Sequence, residues 1–329
     1  MITARAPLRI PLGGGGTDLP SYYSRFGGFF LSAAIDKYVY VSVNRPASDE
    51  LIRVKYSRSE EVKTPAEVQH DLVREALKAL DLSGSLEIVS MADVPAGTGM
   101  GSSGSYLVAL LMALHGLKRD HKPLWVLAEE ACMIEIEMAG HPVGKQDQYV
   151  ATWGGLNCYD ISTSGQVTVT PLRIPPYALD DLQRYSAIYY LGQTRASDTI
   201  LSKQRDDTES GDNGVVESLH RTKELGYEIK AALEAGDLVR YGALLDQHWQ
   251  NKKARAQEIS SGLVDRIYSL AREHGALGGK VMGAGGGGFL YLMTDDRSAR
   301  PLHKLMESEG FRQMPFSFDL EGAKVVLNL

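Results

Sequence analysis

The chain has 329 residues, 43% of them hydrophobic and 23% charged, with a formal net charge of −6. That length supports a substantial core divided between two domains, and the acidic balance argues against nucleic acid or a membrane surface as partner. The two cysteines, Cys132 and Cys158, lie outside any Cys-x-x-Cys pair, which argues against a structural zinc site or a disulfide framework.

The N-terminal stretch ITARAPLRIPLGG has neither the basic nor the apolar segment of a signal peptide, and the longest apolar run, YLVALLMAL, is too short to span a bilayer. A cytoplasmic protein is expected. After the glycine-rich turn PLGGGGTD (11–18), the stretches GFFLSAAI (28–35) and KYVYVSVN (37–44) carry the aromatic and β-branched residues of two strands. AEVQHDLVREALKAL (66–80) has apolar residues at four-residue intervals and predicts a helix. SLEIVSMADV (85–94) reads as a strand that delivers the chain to a second glycine cluster, PAGTGMGSSGS (95–105). The apolar run behind it predicts a buried helix capped by Ser102 or Ser103, and LWVLAEEACMIEIEM (124–138) predicts another.

Residues 171–186 hold three prolines and mark a domain junction. YSAIYYLG (185–192) then reads as a strand, RDDTESGDNG (205–214) as a polar, mobile loop, and the chain from Val215 to His274 as mainly helical. The third glycine cluster, GAGGGG (283–288), precedes a strand. The class is α+β.

Glycines 97, 99, 101 and 104 leave main-chain N–H groups bare at a helix start, where the helix dipole also favours an anion such as phosphate. No glycine is followed by Lys-Ser or Lys-Thr, so the loop is not a Walker A motif. The pattern GxGxxG occurs at 99–104 and again at 283–288, but no strand runs directly into the first, as a dinucleotide fold requires. Without a lysine, the counter-charge must come from elsewhere, for example a magnesium ion held by a serine hydroxyl and a carboxylate. Glu135 lies on a half-apolar helix flank, where an unpaired charge is costly. Asp147 follows in the Gly/Pro-punctuated loop GHPVGKQDQY, where Lys145 could hold it ionised.

Taken in order, APLRIPLGGGGTD, PAGTGMGSSGS and GAGGGGF resemble the three motifs of the GHMP kinases, the family of galactokinase, homoserine kinase, mevalonate kinase and phosphomevalonate kinase. The resemblance implies a two-domain fold: a ribosomal protein S5 domain 2-like N-terminal domain (1–178) and a ferredoxin-like α/β C-terminal domain (179–329), with the active site in the cleft between them. It implies ATP and Mg²⁺ as cofactors, with Gly97, Gly99, Gly101, Ser102, Ser103 and Gly104 binding the nucleotide. EIEMAGHPVGKQDQY resembles the galactokinase segment that supplies the metal ligand and the base. This implies Glu135 and Ser103 as magnesium ligands, Asp147 as base and Arg9 as its charge stabiliser. Gly16, Thr17 and Asp18 are implied to meet the sugar.

GGGGTDLPSYY, PVGKQDQY, GQTR and HWQNKK further resemble family members that phosphorylate the anomeric hydroxyl of a heptose 7-phosphate. A sugar phosphate needs cations, for which Lys145, Arg195, Lys252, Lys253 and Arg255 are candidates, whereas His248 and Trp249 are expected to pack their helix. A kinase for a free sugar such as L-fucose or galactose, and a non-catalytic sugar sensor, are the alternatives. The expected partners are small molecules, with a homodimer possible.

Overall fold

The computed structural model describes residues 1–192, 197–255 and 259–329. The larger sheet contains β1 (Ile2–Gly13), β2 (Gly28–Asn44), β3 (Ile52–Lys55), β4 (Ser59–Val62), β5 (Leu86–Ala92), β6 (Leu156–Ile161), β7 (Val167–Pro171) and β11 (Lys324–Asn328), in the order β11-β1-β2-β5-β3-β4, with β6 and β7 branching from β2. The smaller is antiparallel, β8 (Ser186–Tyr190), β10 (Phe289–Met293) and β9 (Gly278–Val281). The helices of the first half are α1 (Pro20–Phe26), α2 (Asp71–Ala79), α3 (Ser102–Lys118), α4 (Leu124–Cys132), α5 (Gln146–Trp153) and α6 (Pro176–Tyr185). Those of the second are α7 (Ser197–Glu209), α8 (Asn213–Glu234), α9 (Leu238–Arg255), α10 (Gly262–Glu273) and α11 (Ala299–Ser308).

The two strands expected over 28–44 are one, β2, bent in the middle. Pairing with β1 runs Pro7↔Tyr38 and then Leu8↔Ile35, so Asp36 and Lys37 bulge out of the ladder. The bulge lies beside Pro7, which has no N–H to donate. Beyond it β2 exchanges β6 for β5 as its second neighbour.

α3 is buried around most of its circumference, as its nearly continuous apolar run requires, and it packs across β1 and β2. Three further expectations differ from the structure. The helix expected over 66–80 is α-helical only over Asp71–Ala79, because Val68 and His70 are extended and separate it from the 3₁₀ turn Pro65–Glu67. The helix expected over 124–138 changes to π-helical winding at Met133–Met138, a change often found at functional sites. The polar stretch 205–214 is mostly the end of α7 and the start of α8, where Asp212 caps α8 through the Gly214 and Val215 amides. β11 returns to pair with β1. A boundary between 178 and 179 therefore separates the two sheets but leaves the C-terminal strand with the larger one. Among the described residues no helix is long and apolar enough to cross a membrane.

Candidate active site

The three glycine clusters meet at a cleft of about 950 Å³ between the two sheets. Gly97, Gly99 and Gly101 all have φ near +75 to +80°, a region that only glycine enters cheaply. A Cβ on Gly283 would stand 2.5 Å from the Gly99 Cα, and one on Gly288 would stand 2.3 Å from the Thr98 carbonyl. The third cluster is thus a backbone-on-backbone support for the second. Gly101, in the left-handed conformation, caps α3 without a side-chain hydrogen bond. The serines expected as caps remain available: both line the cleft, Ser103 exposed, and the buried Ser102 Oγ has no partner.

Arg9 leaves β1 directly beneath this loop. Its main-chain N–H donates to the Met100 carbonyl (3.2 Å) and its Nη1 to the Gly99 carbonyl (2.6 Å). Its Nε and Nη2 both reach Asp147 Oδ1 at 2.8 Å. Asp147 lies in the first turn of α5 rather than in a loop. The close approach of α5 needs Gly101 and Gly104, since a Cβ on either would meet Asp147 at 3.0 and 2.8 Å. Gly104 itself does not line the cleft; its role is this packing.

Asp18 is buried at the cleft wall, accepting from the Gly16 N–H (2.8 Å) and the Gln146 N–H (3.1 Å). Burial raises its pKa, opposed by these N–H donors, and the Asp147 charge raises it further. Gly16 also lines the cleft. Thr17 does not: its fully buried Oγ1 meets the Gly14 and Phe29 carbonyls and accepts from the Phe29 N–H. It pins the turn to β2 and leaves no group for substrate.

Lys145 departs most from expectation. Its Nζ binds both Glu129 oxygens (2.8 and 2.9 Å) and the Gly165 carbonyl (2.8 Å), behind the cleft rather than in it. Arg9, not Lys145, is the cation beside Asp147. Lys253 likewise turns away to Asp265 (2.9 Å), whereas Lys252 and Arg255, further round α9, line the cleft. Arg195 lies outside the described residues.

Glu135 is fully buried within the π-helical turn and accepts from Gln148 Nε2 at 2.7 Å. His141, not Glu135, lines the cleft; it stands 3.6 Å from Glu135 Oε1 and 2.8 Å from Asp71 Oδ2. Glu135, and then Asp71, push the imidazole up to about 9 against the effect of its burial, so it is protonated at neutral pH. Among the described residues no three His, Cys, Asp or Glu side chains form a metal cage. A magnesium ion that shares its shell with a nucleotide needs only one or two protein oxygens. Ser102 Oγ is a buried oxygen without a partner, and Glu135 Oε1 accepts no hydrogen bond although the His141 imidazole lies 3.6 Å away; an anionic and a hydroxyl oxygen are the donor types such an ion takes.

Sequence reasoning missed two groups. At one end His70 stacks on Tyr106, with ring centroids 4.9 Å apart, and Tyr56, Met91 and Val94 complete a largely apolar wall. On the opposite side Lys280, from the flank of the third glycine cluster, joins Lys252 and His248. His248 had been expected only to pack α9; it is 1% exposed, lines the cleft, and neither ring nitrogen has a hydrogen-bond partner. Trp249 is wholly buried, as expected. Lys280 stands in GGKVMGAGGGG, which reads from the sequence as a glycine-rich turn, so nothing local marked it as a cleft residue.

Comparison with known proteins agrees with this geometry. Residues 70–155 match the GHMP kinases N terminal domain, and residues 229–304 match the GHMP kinases C terminal domain. A D-glycero-alpha-D-manno-heptose 7-phosphate kinase of Campylobacter jejuni is 30% identical, over 98% of this chain and 98% of that protein. The chain belongs to the GHMP kinase family. It is accordingly a phosphotransferase with an alcohol acceptor. An L-fucokinase/L-fucose-1-P guanylyltransferase of Bacteroides fragilis is 26% identical over 91% of this chain, which spans 35% of that longer protein. Among solved structures, a D-glycero-D-manno-heptose 1-phosphate kinase from Bacteroides thetaiotaomicron superposes with a TM-score of 0.81 at 25% identity, covering all of both chains.

Proposed function

We propose that this GHMP kinase transfers the γ-phosphoryl group of ATP to the anomeric hydroxyl of D-glycero-D-manno-heptose 7-phosphate, giving the 1,7-bisphosphate for nucleotide-activated heptose and surface polysaccharide synthesis. The observation that carries a kinase chemistry is the Arg9–Asp147 pair directly under the glycine loop. The heptose reading rests on the full-length similarity to the Campylobacter jejuni enzyme and on Arg255, a cation that lines the cleft beside Gly16.

In this reading the triphosphate lies along residues 97–103, with its base toward His70 and Tyr106 and its γ-phosphate above Asp147. Asp147 accepts the proton of the anomeric hydroxyl, the sugar oxygen bonds to the γ-phosphorus, and the bond from that phosphorus to the ADP oxygen breaks. Asp18 accepts hydrogen bonds from sugar hydroxyls. Arg255, whose Nη1 would stand 3.3 Å from a Cβ on Gly16, is the cation at the sugar end and takes the 7-phosphate. Glu135 and Ser102, the latter in place of the expected Ser103 because its Oγ is the unpartnered one, would hold Mg²⁺, which when bound offsets the negative charge of the nucleotide phosphates. Loop amides and fixed cations supply the remaining stabilisation.

The test is a coupled ADP-release assay with heptose 7-phosphate, mannose 6-phosphate, L-fucose and galactose. The heptose phosphate should give the highest kcat/KM by at least about tenfold, or 1.4 kcal/mol. The likeness to the fucokinase region makes L-fucose the competing outcome, and a higher kcat/KM for it would overturn the heptose assignment.

A further inference from the structure

Among the described residues four lysine and arginine side chains reach the cleft: Arg9 from β1, Lys252 and Arg255 from α9, and Lys280 from β9. Their surroundings separate them. Arg9 is neutralised by Asp147. Arg255 is held by Gln204 (3.1 Å), Thr222 (2.9 Å) and Ser218 (3.3 Å) toward the sugar end. Lys252 donates to the Gly283 carbonyl at 2.5 Å, and Gly283 is the residue packed on Gly99 of the phosphate loop. Lys280, only 3% exposed, has no hydrogen-bond or ion-pair partner in the described structure. His248, one helical turn before Lys252, adds two ring nitrogens without partners.

Burying ammonium groups beside one another is unfavourable unless an anion joins them. Burial, with Arg9 next, lowers Lys280 to about 7, while burial, followed by Lys280, Arg255 and Arg9, lowers Lys252 well below its usual value. No carboxylate pairs with either lysine among the described residues. The missing partner is therefore a ligand, and the position of Lys252 at the seam between the two glycine loops places that ligand at the reaction centre rather than at the distal end of the sugar.

We propose that Lys280 and Lys252 form a clamp on the transferring phosphoryl group, delivered from the second half of the chain opposite Arg9, with Lys280 as a catalytic residue and His248 as a neutral donor beside it. The proposal rests on the kinase reading but not on the identity of the sugar. Cations so placed act most strongly when charge spreads over the phosphoryl oxygens in the transition state, as an arginine finger does in other phosphoryl transfers. They also tie catalysis to the relative position of the two sheets, since neither lysine comes from the half that carries Asp147.

The test compares wild type, Lys280→Met, Lys280→Arg and Lys252→Met in steady-state kinetics with ATP and the best sugar of the panel, after thermal melting has shown each variant folded. Lys280→Met should lower kcat by about 10²–10³-fold while KM for the sugar moves less than about threefold, and Lys280→Arg should restore part of kcat. Unchanged kcat in Lys280→Met, or a loss confined to the sugar KM, would overturn the assignment; the latter would mean that Lys280 holds the sugar's own phosphate. Inactivity of the wild type toward every sugar would instead strike the kinase reading. A folding loss in Lys280→Met transfers the decision to Lys280→Arg, which keeps the charge and must then retain measurable turnover.

Discussion

Arg9 Nε and Nη2 both converge on one oxygen of Asp147, Oδ1, at 2.8 Å. The other oxygen, Oδ2, is left without an intramolecular partner among the described residues. One side chain thus orients its carboxylate while keeping an acceptor free, which is the arrangement a general base needs.

Asp147→Asn keeps the shape of this pair and removes the proton acceptor. The variant should fold normally, with kcat lower by about 10²–10⁴-fold. Turnover near the wild-type value would rule out an essential base, and circular dichroism with a melting curve separates this from misfolding.

Glu135→Gln should leave the Gln148 side of the carboxyl site filled but remove the charge that attracts a divalent ion. The Mg²⁺ concentration needed for half-maximal rate should rise by about tenfold, equivalent to 1.4 kcal/mol. An unchanged magnesium titration would remove Glu135 from the ligand set.

Gly283→Ala tests the contact between the two glycine loops. The residue has φ +66° and its new Cβ would stand 2.5 Å from the Gly99 Cα, so the loops must separate. We expect KM for ATP to rise about tenfold or more, with a smaller change in KM for the sugar. Equal effects on both would mean that the loop shapes the whole cleft rather than the phosphate cradle.

Lys145→Met should act on stability rather than on substrate choice. It leaves Glu129 and the Gly165 carbonyl without their shared cation. Since Glu129 is 38% exposed, the loss should be about 1–3 kcal/mol, below that of a wholly buried pair, and visible as a lower denaturant midpoint. The preference for a phosphorylated over an unphosphorylated sugar should not change; its collapse would return Lys145 to the substrate pocket.

Lys280 also gives the unliganded protein a pH signature. Between pH about 7 and 10.5 the folded chain has released a proton that the unfolded chain still binds, so this group makes stability rise with pH across that window. Thermal melts in buffers free of phosphate should show that slope in wild type and a shallower one in Lys280→Met. Parallel profiles would show that the Lys280 amine is as well solvated in the folded protein as in the unfolded chain.

The sequence by itself determined the α+β class, the run of strands and helices around the second glycine cluster, the buried helix α3, and the spacing that sets Arg9, Asp18, Glu135 and Asp147 in order. Those features are local: they follow from apolar periodicity, from glycine's access to positive φ, and from motif spacing. Only the tertiary structure decided which charges meet. Glu129 lies one helix away from Lys145 and takes it out of the cleft, while α9 and β9, far along the chain from the second glycine cluster, bring Lys252, His248 and Lys280 to the same cleft. A side chain's electrostatic partner depends on long-range packing and on what burial leaves unsolvated, and neither quantity is written in the spacing of neighbouring residues.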